Sequence, residues 1–127
     1  MLESSTAKVR AWLETQDAER LAISDWVITE ISSALSIKMR TGQIDAQGRA
    51  TALAMFARMR LKSLTVLPIE RAHFGAAARF TEQHHLGLRA GDALHVAVCA
   101  DSGATLCTLD ARLADAAHAL GLRVAPL

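Results

Sequence analysis

Apolar positions recur with helical spacing in some segments of the chain and form short unbroken runs in others. The helical spacing predicts helices over 4–17, 25–40, 45–61, 70–85, 92–100 and 111–120. The apolar runs predict strands over 21–24, 64–67, 104–109 and 122–125. Because strands alternate with helices, we predict an α/β fold in three layers, with a parallel sheet flanked by helices.

The most apolar segment extends from Leu88 to Leu113. Its helical part is too apolar for a surface position, which predicts a buried helix. Residues 104–109 are predicted to form a strand that is buried on both faces. Cys99 and Cys107 lie in these two elements, so we interpret both as small buried hydrophobic residues and expect no disulfide.

Composition narrows the class of protein. The chain has 127 residues, 51% hydrophobic residues and a formal net charge of +1, which predicts one domain without a strong overall attraction to nucleic acid. No apolar run is long enough to span a membrane and the start does not resemble a signal peptide. We therefore expect a soluble, cytoplasmic protein with no membrane partner. Basic residues crowd into the second quarter of the chain, at Lys38, Arg40, Arg49, Arg58, Arg60 and Lys62.

Three carboxylates are the candidate chemical groups. Asp92 is predicted to open a helix and Asp110 to follow a strand, and ligand sites of open α/β sheets lie at the carboxyl ends of the strands. Each of the two could instead be a helix N-cap. Glu30 lies a turn and a half into the helix after the first strand, where a solvated helix position is the alternative.

Three converging carboxylates would repel one another unless a divalent cation neutralised them. Oxygen ligands without histidine-rich spacing favour Mg²⁺ or Mn²⁺ over Zn²⁺, and such an ion can activate water for phosphodiester hydrolysis. His95 could extend the set as part of a D-x-x-H pair, although a hydrogen-bonded core histidine is the favoured interpretation. His84 and His85 are predicted to end a helix. The chain has no glycine-rich phosphate loop and no G-x-S-x-G motif.

The segments D-W-V-I-T-E-I-S-S-A-L, R-A-G-D-A-L-H-V-A and T-L-D-A-R-L, in this order, resemble PIN-domain ribonucleases, specifically the VapC toxins of bacterial toxin–antitoxin modules. The resemblance implies a metal-dependent endoribonuclease, a hydrolase that cleaves RNA and is blocked by a cognate antitoxin. Carried over by motif, Glu30, Asp92 and Asp110 would be the catalytic residues and the ligands of Mg²⁺ or Mn²⁺. Arg89 and Thr108 match flanking positions that are not metal ligands.

The chain departs from the family pattern at its start. The family begins with a central strand that carries its first catalytic aspartate, whereas this chain begins in a predicted helix. We therefore expect a single PIN-like domain over 1–127 that is N-terminally truncated relative to the family, with metal binding and activity weakened. One alternative is a catalytically impaired PIN domain that acts only in antitoxin binding or dimerisation. A more distant one is a metal-binding phosphatase or phospho-acceptor domain of another α/β family.

The helices predicted over 25–40 and 45–61 carry more apolar residues than one packed face needs. The residues in excess are Ile37, Met39, Met55 and Met59. We expect these two helices to form a surface for an antitoxin segment or for a second copy of the chain, as in a homodimer.

Overall fold

The structure is a computed structural model that describes residues 2–17, 20–125 and 127. It contains two compact units, Asp17–Pro68 and a unit that combines Met1–Gln16 with Ile69–Leu127. None of the described helices is long and apolar enough to cross a membrane. The elements in chain order are α1 (Leu2–Glu14), β1 (Ala22–Ser24), α2 (Asp25–Arg40), α3 (Ala46–Lys62), β2 (Thr65–Leu67), α4 (Arg71–Glu82), a 3-10 helix (His84–Leu86), α5 (Ala90–Ser102) and α6 (Ala111–Ala119).

The Asp17–Pro68 unit is a two-stranded parallel sheet with two helices. β1 pairs with β2 in a register that places Ile23 opposite Val66. The parallel pairing confirms the predicted strand direction, since the crossover between the strands is helical. α3 begins after Asp45, whose carboxylate accepts a hydrogen bond from the Gly48 N–H at 2.7 Å. This cap confirms the predicted helix start and stabilises it by about 1 kcal/mol.

The unit that contains Ile69–Leu127 is built around α5. A buried cluster joins Val96 of α5 to Leu113 and Ala117 of α6. The burial of α5 confirms the prediction from its apolar composition and extends to Ala93, Leu94, Val96, Ala97, Val98 and Cys99. Partly buried side chains complete the cluster, namely Phe80, Leu88, Leu106, Leu120, Leu122 and Val124.

The prediction of a strand buried on both faces over 104–109 is wrong. Only Leu106 pairs, in an isolated parallel bridge to Val124, where its N–H donates to the Arg123 carbonyl and its carbonyl accepts from the Ala125 N–H. Leu109 is 53% exposed and Cys107 is also exposed. The apolar composition of a segment indicates that its burial would be favourable. It does not indicate whether other segments of the chain lie close enough to cover it. The predicted strand over 122–125 is likewise only the other side of this bridge.

Helix boundaries also differ from the predictions near the two adjacent histidines. α4 ends at Glu82, and His84 and His85 belong to the following 3-10 helix instead of the predicted end of α4. Gly87 then adopts a left-handed conformation, with φ at +67°, which only glycine reaches without steric cost. The 3-10 helix consequently turns the chain toward the start of α5.

A buried histidine links the beginning of α4 to the end of α5. His73 is 6% exposed, and its Nδ1 accepts a hydrogen bond from the Glu70 N–H at 2.9 Å. A neutral ring that accepts at Nδ1 carries its proton on Nε2. Nε2 therefore donates to the Asp101 carboxylate, 2.8 Å away.

We expect His73→Ala to lower the free energy of unfolding by about 1–3 kcal/mol. The substitution removes the acceptor of the Glu70 N–H and leaves a cavity where the buried ring was. Asp101→Ala should cost less than about 1 kcal/mol, since the Asp101 side chain is 71% exposed and water replaces the carboxylate. Urea unfolding of the wild-type protein and of the two variants measures both changes in the free energy of unfolding. Equal losses in the two variants would show that the pair, and not the buried ring, stabilises this link.

Candidate functional site

Asp92 lies in the first turn of α5, two residues after the helix begins at Ala90. The N-cap position belongs to Arg89, so the alternative interpretation of Asp92 as the N-cap is wrong. The side chain is half-buried and, in the part of the chain that the structure describes, it has no hydrogen bond or ion pair. The partial positive charge at the start of α5 favours a carboxylate here, but both of its oxygens remain available to a ligand.

Asp110 is the N-cap of α6. Its Oδ1 accepts hydrogen bonds from the Arg112 N–H at 3.0 Å and the Leu113 N–H at 3.3 Å. The Asp110 N–H in turn donates to the Thr108 hydroxyl at 3.1 Å. The capping alternative for Asp110 is therefore confirmed, although it occupies only one carboxylate oxygen. Among the described residues Oδ2 makes no hydrogen bond, and the residue is exposed.

One buried cluster positions both of these aspartates. Asp92 precedes Val96 by four residues and Asp110 precedes Leu113 by three, which corresponds to about one helical turn in each case. Because Val96 and Leu113 pack in the same cluster, the helix starts that carry the two carboxylates are both anchored by it.

Glu30 lies in α2 and is half-buried. It belongs to the Asp17–Pro68 unit, whereas Asp92 and Asp110 belong to the other, so the convergence of the three acids stays a prediction. Residues 2–17, 20–125 and 127 contain no group of three or more His, Cys, Asp or Glu side chains that could hold a metal ion. His95 is half-buried on α5, three residues after Asp92.

The two cysteines are free thiols with different exposure. Cys99 is buried as predicted, and its Sγ donates to the Ala104 carbonyl at 3.2 Å. Cys107 is exposed, so the prediction that it is buried is wrong. Burial raises the pKa of the Cys99 thiol, partly offset by Arg123, and desolvation by its surroundings also raises the pKa of Cys107. Since the thiolate is the reactive form, neither residue has the character of a catalytic nucleophile.

A cleft of about 500 Å³ lies between the 3-10 helix and α6. Its lining residues are His85, Leu86, Gly87, Arg112, Asp115 and Ala116. This cleft was not predicted from the sequence. The only signal was the position of Arg112 two residues after Asp110, in the T-L-D-A-R-L segment.

The PIN domain family model matches residues 2–119. The chain belongs to the PIN domain family, and this confirms the predicted α/β class with a small parallel sheet flanked by helices. PIN domains are typically metal-dependent nucleases that use Mg²⁺ or Mn²⁺. No curated protein and no solved structure matches the chain.

The described acids fit a hard divalent cation in their chemistry. Among the residues that the structure describes, the half-buried Asp92 carboxylate has no partner, and Asp110 has one oxygen fixed by two N–H donors and no hydrogen bond at the other. Carboxylate oxygens of this kind are the ligands that Mg²⁺ and Mn²⁺ prefer.

Alkylation should distinguish the two thiols. We expect iodoacetamide to modify Cys107 before Cys99, and both more slowly at pH 7 than a free cysteine, because a raised pKa leaves less thiolate at that pH. The rate at Cys107 should rise as the pH approaches its raised pKa, whereas Cys99 should react fully only in denaturant. Mass spectrometry of the time course measures this. Rapid modification of Cys99 in the folded protein would contradict the burial described above.

Proposed function

We propose that this protein is a metal-dependent endoribonuclease toxin of the VapC type, from a type II toxin–antitoxin system, that cleaves RNA phosphodiester bonds. The proposal is supported by the family match over residues 2–119 and by the three segments that resemble VapC toxins. The observation that carries it is Asp92, a half-buried carboxylate in the first turn of α5 without a partner among the described residues. RNA as the substrate fits a cytoplasmic location.

In this proposal Glu30, Asp92 and Asp110 hold Mg²⁺ or Mn²⁺. The ion, when bound, supplies activation of the attacking water and stabilisation of the negative charge on the phosphate. The two backbone N–H groups at Oδ1 of Asp110 keep its carboxylate from rotating, which leaves Oδ2 for the ion. Asp92 is held by the burial of the helix that carries it. The Asp110 carboxylate thus has a fixed orientation, and the backbone that carries Asp92 a fixed position, before the ion binds, which lowers the entropy lost on binding.

We expect Asp92→Asn and Asp110→Asn each to reduce RNA cleavage at least about tenfold, because each removes one of the few negative charges that would hold the ion. Asp110→Asn should remain folded, since an asparagine amide oxygen can accept the same N-cap hydrogen bonds. Cleavage of a fluorescent RNA with Mg²⁺ or Mn²⁺, and with EDTA, measures the effect.

Asp45→Asn is the matched control. Asp45 is also an N-cap, and the same substitution there removes one negative charge without touching a proposed ligand. Cleavage that persists in EDTA, or that survives in both Asp92→Asn and Asp110→Asn, would overturn the metal assignment.

The second candidate function is a PIN domain that serves only as a binding or dimerisation module. Exposed apolar side chains on α2 and α3 favour it, since Ile37 is 46% exposed, Met59 43% and Met55 61%. These three support the predicted surface, whereas Met39 is half-buried. The flanking basic residues would suit an acidic amphipathic segment of an antitoxin. The same surface is compatible with the toxin proposal, in which the antitoxin or a second copy would cover it.

We expect Met55→Glu to shift the protein toward monomer or to weaken antitoxin binding at least about tenfold, because a buried carboxylate without a partner is unfavourable in an interface. Ala50→Glu is the control, because it adds the same charge at another position of α3. Ala50 is exposed and lies roughly 140° around the helix from Met55. Light scattering over a concentration series and titration with the antitoxin measure the two effects. A protein that is monomeric throughout and binds antitoxin equally well in both variants would exclude this surface.

A further inference from the structure

The cleft between the 3-10 helix and α6 is a surface site that is open to solvent. Its volume, about 500 Å³, lies within the range of protein sites that hold small ligands. Arg112 and Asp115 line it from α6, and His85 lines it from the 3-10 helix. The cleft therefore combines a cation, a carboxylate and an aromatic ring.

Both charges in the cleft are available to a ligand. Arg112 and Asp115 are three residues apart on α6, a spacing that often forms an ion pair. Within the described residues, however, neither side chain makes an ion pair or a hydrogen bond, with the other or with any neighbour. A ligand that carries both an anionic group and a hydrogen-bond donor would satisfy both.

The chain positions the arginine along the wall of the cleft. A methyl group added to Gly87 would lie 3.7 Å from Cδ of Arg112, so the aliphatic part of the arginine runs beside the glycine backbone. The backbone N–H of Arg112 donates to Oδ1 of Asp110, the proposed metal ligand. The cleft thus begins within two residues of that carboxylate on the same helix.

We propose that this cleft binds one nucleotide of a single-stranded RNA substrate, next to the proposed metal site. The Arg112 guanidinium donates to a phosphate oxygen, and the Asp115 carboxylate accepts a hydrogen bond from the ribose 2′-hydroxyl. The His85 ring stacks on the base. An inorganic anion alone would meet the repulsion of Asp115, whereas a ribonucleotide offers both an anion and a donor. This inference rests on the proposed function, because it assumes that RNA is the substrate.

Binding can be measured without cleavage. The full chain is titrated into a fluorescein-labelled single-stranded RNA, and into DNA of the same sequence, in EDTA at several salt concentrations, with fluorescence anisotropy as the readout. We expect the wild-type protein to bind RNA more tightly than DNA. Arg112→Ala should weaken the binding of both and lower the slope of log K against log salt by about 0.7, the value for one lost contact to a single-stranded phosphate.

The variants of Asp115 separate charge from hydrogen bonding. Asp115→Ala should lower the preference for RNA over DNA at least about threefold, whereas Asp115→Asn should retain the preference, since the amide oxygen still accepts from the 2′-hydroxyl. Arg71→Ala, at an exposed arginine of α4 that does not line the cleft, should leave the preference unchanged. Arg112→Lys keeps the positive charge and should retain the salt slope, which provides a second variant if Arg112→Ala does not fold.

Several results would overturn the proposal. The proposal is wrong if the wild-type protein does not bind RNA or binds RNA and DNA equally well. It is also wrong if Arg112→Ala leaves the slope of log K against log salt unchanged. Competition by adenosine monophosphate at the same concentration as the oligonucleotide would assign the cleft to free nucleotides instead. This assay contains no metal and measures no cleavage. A negative result here would therefore not affect the metal assignment that Asp92→Asn tests, and loss of that metal assignment would not affect the RNA-binding result.

Discussion

The burial of α5 is the constraint on which the unit around it depends. Six of its residues are buried, and Val96 at its centre packs with Leu113 and Ala117 of α6. Full burial of a side chain of this size contributes about 1.5–3 kcal/mol relative to exposure. The same cluster holds the beginnings of α5 and α6, so the packing that stabilises the unit also anchors Asp92 and Asp110. A substitution that opens this cluster would therefore disturb stability and the candidate site together.

Helix N-termini explain how isolated carboxylates can be kept in place without a cation. The partial positive charge at the start of a helix favours a negative side chain, and the first N–H groups need acceptors. Asp110 meets both needs with one oxygen, and its other oxygen makes no hydrogen bond to any residue that the structure describes. Asp92 benefits from the helix field without making a hydrogen bond among the described residues. A structural role and a metal-binding role are thus compatible for these residues, and the capping interpretation does not compete with the functional one.

The family and the fold constrain function to different degrees. Membership of the PIN domain family indicates a nuclease, whereas the choice of RNA, metal and antitoxin is a proposal that rests on particular residues. We proposed different ligands for the exposed apolar side chains of α3 and for the charged cleft beside α6, a protein segment for the first and a nucleotide for the second. Together the two proposals describe a nuclease that is regulated by a protein partner.

The sequence alone determined the order of the six α-helices and of β1 and β2, the burial of α5, the parallel direction of the two strands and the cap at Asp45. These features follow from local patterns, since helical periodicity, apolar composition and N-cap residues act over a few neighbouring positions. Tertiary structure decided that residues 104–109 form only an isolated bridge and not a buried strand. An apolar run becomes a buried strand only where other segments cover both of its faces. Tertiary structure also decided that Cys107 is exposed and that Arg112, Asp115 and His85 share a cleft. Those outcomes depend on contacts between residues distant in the chain, which no local pattern records.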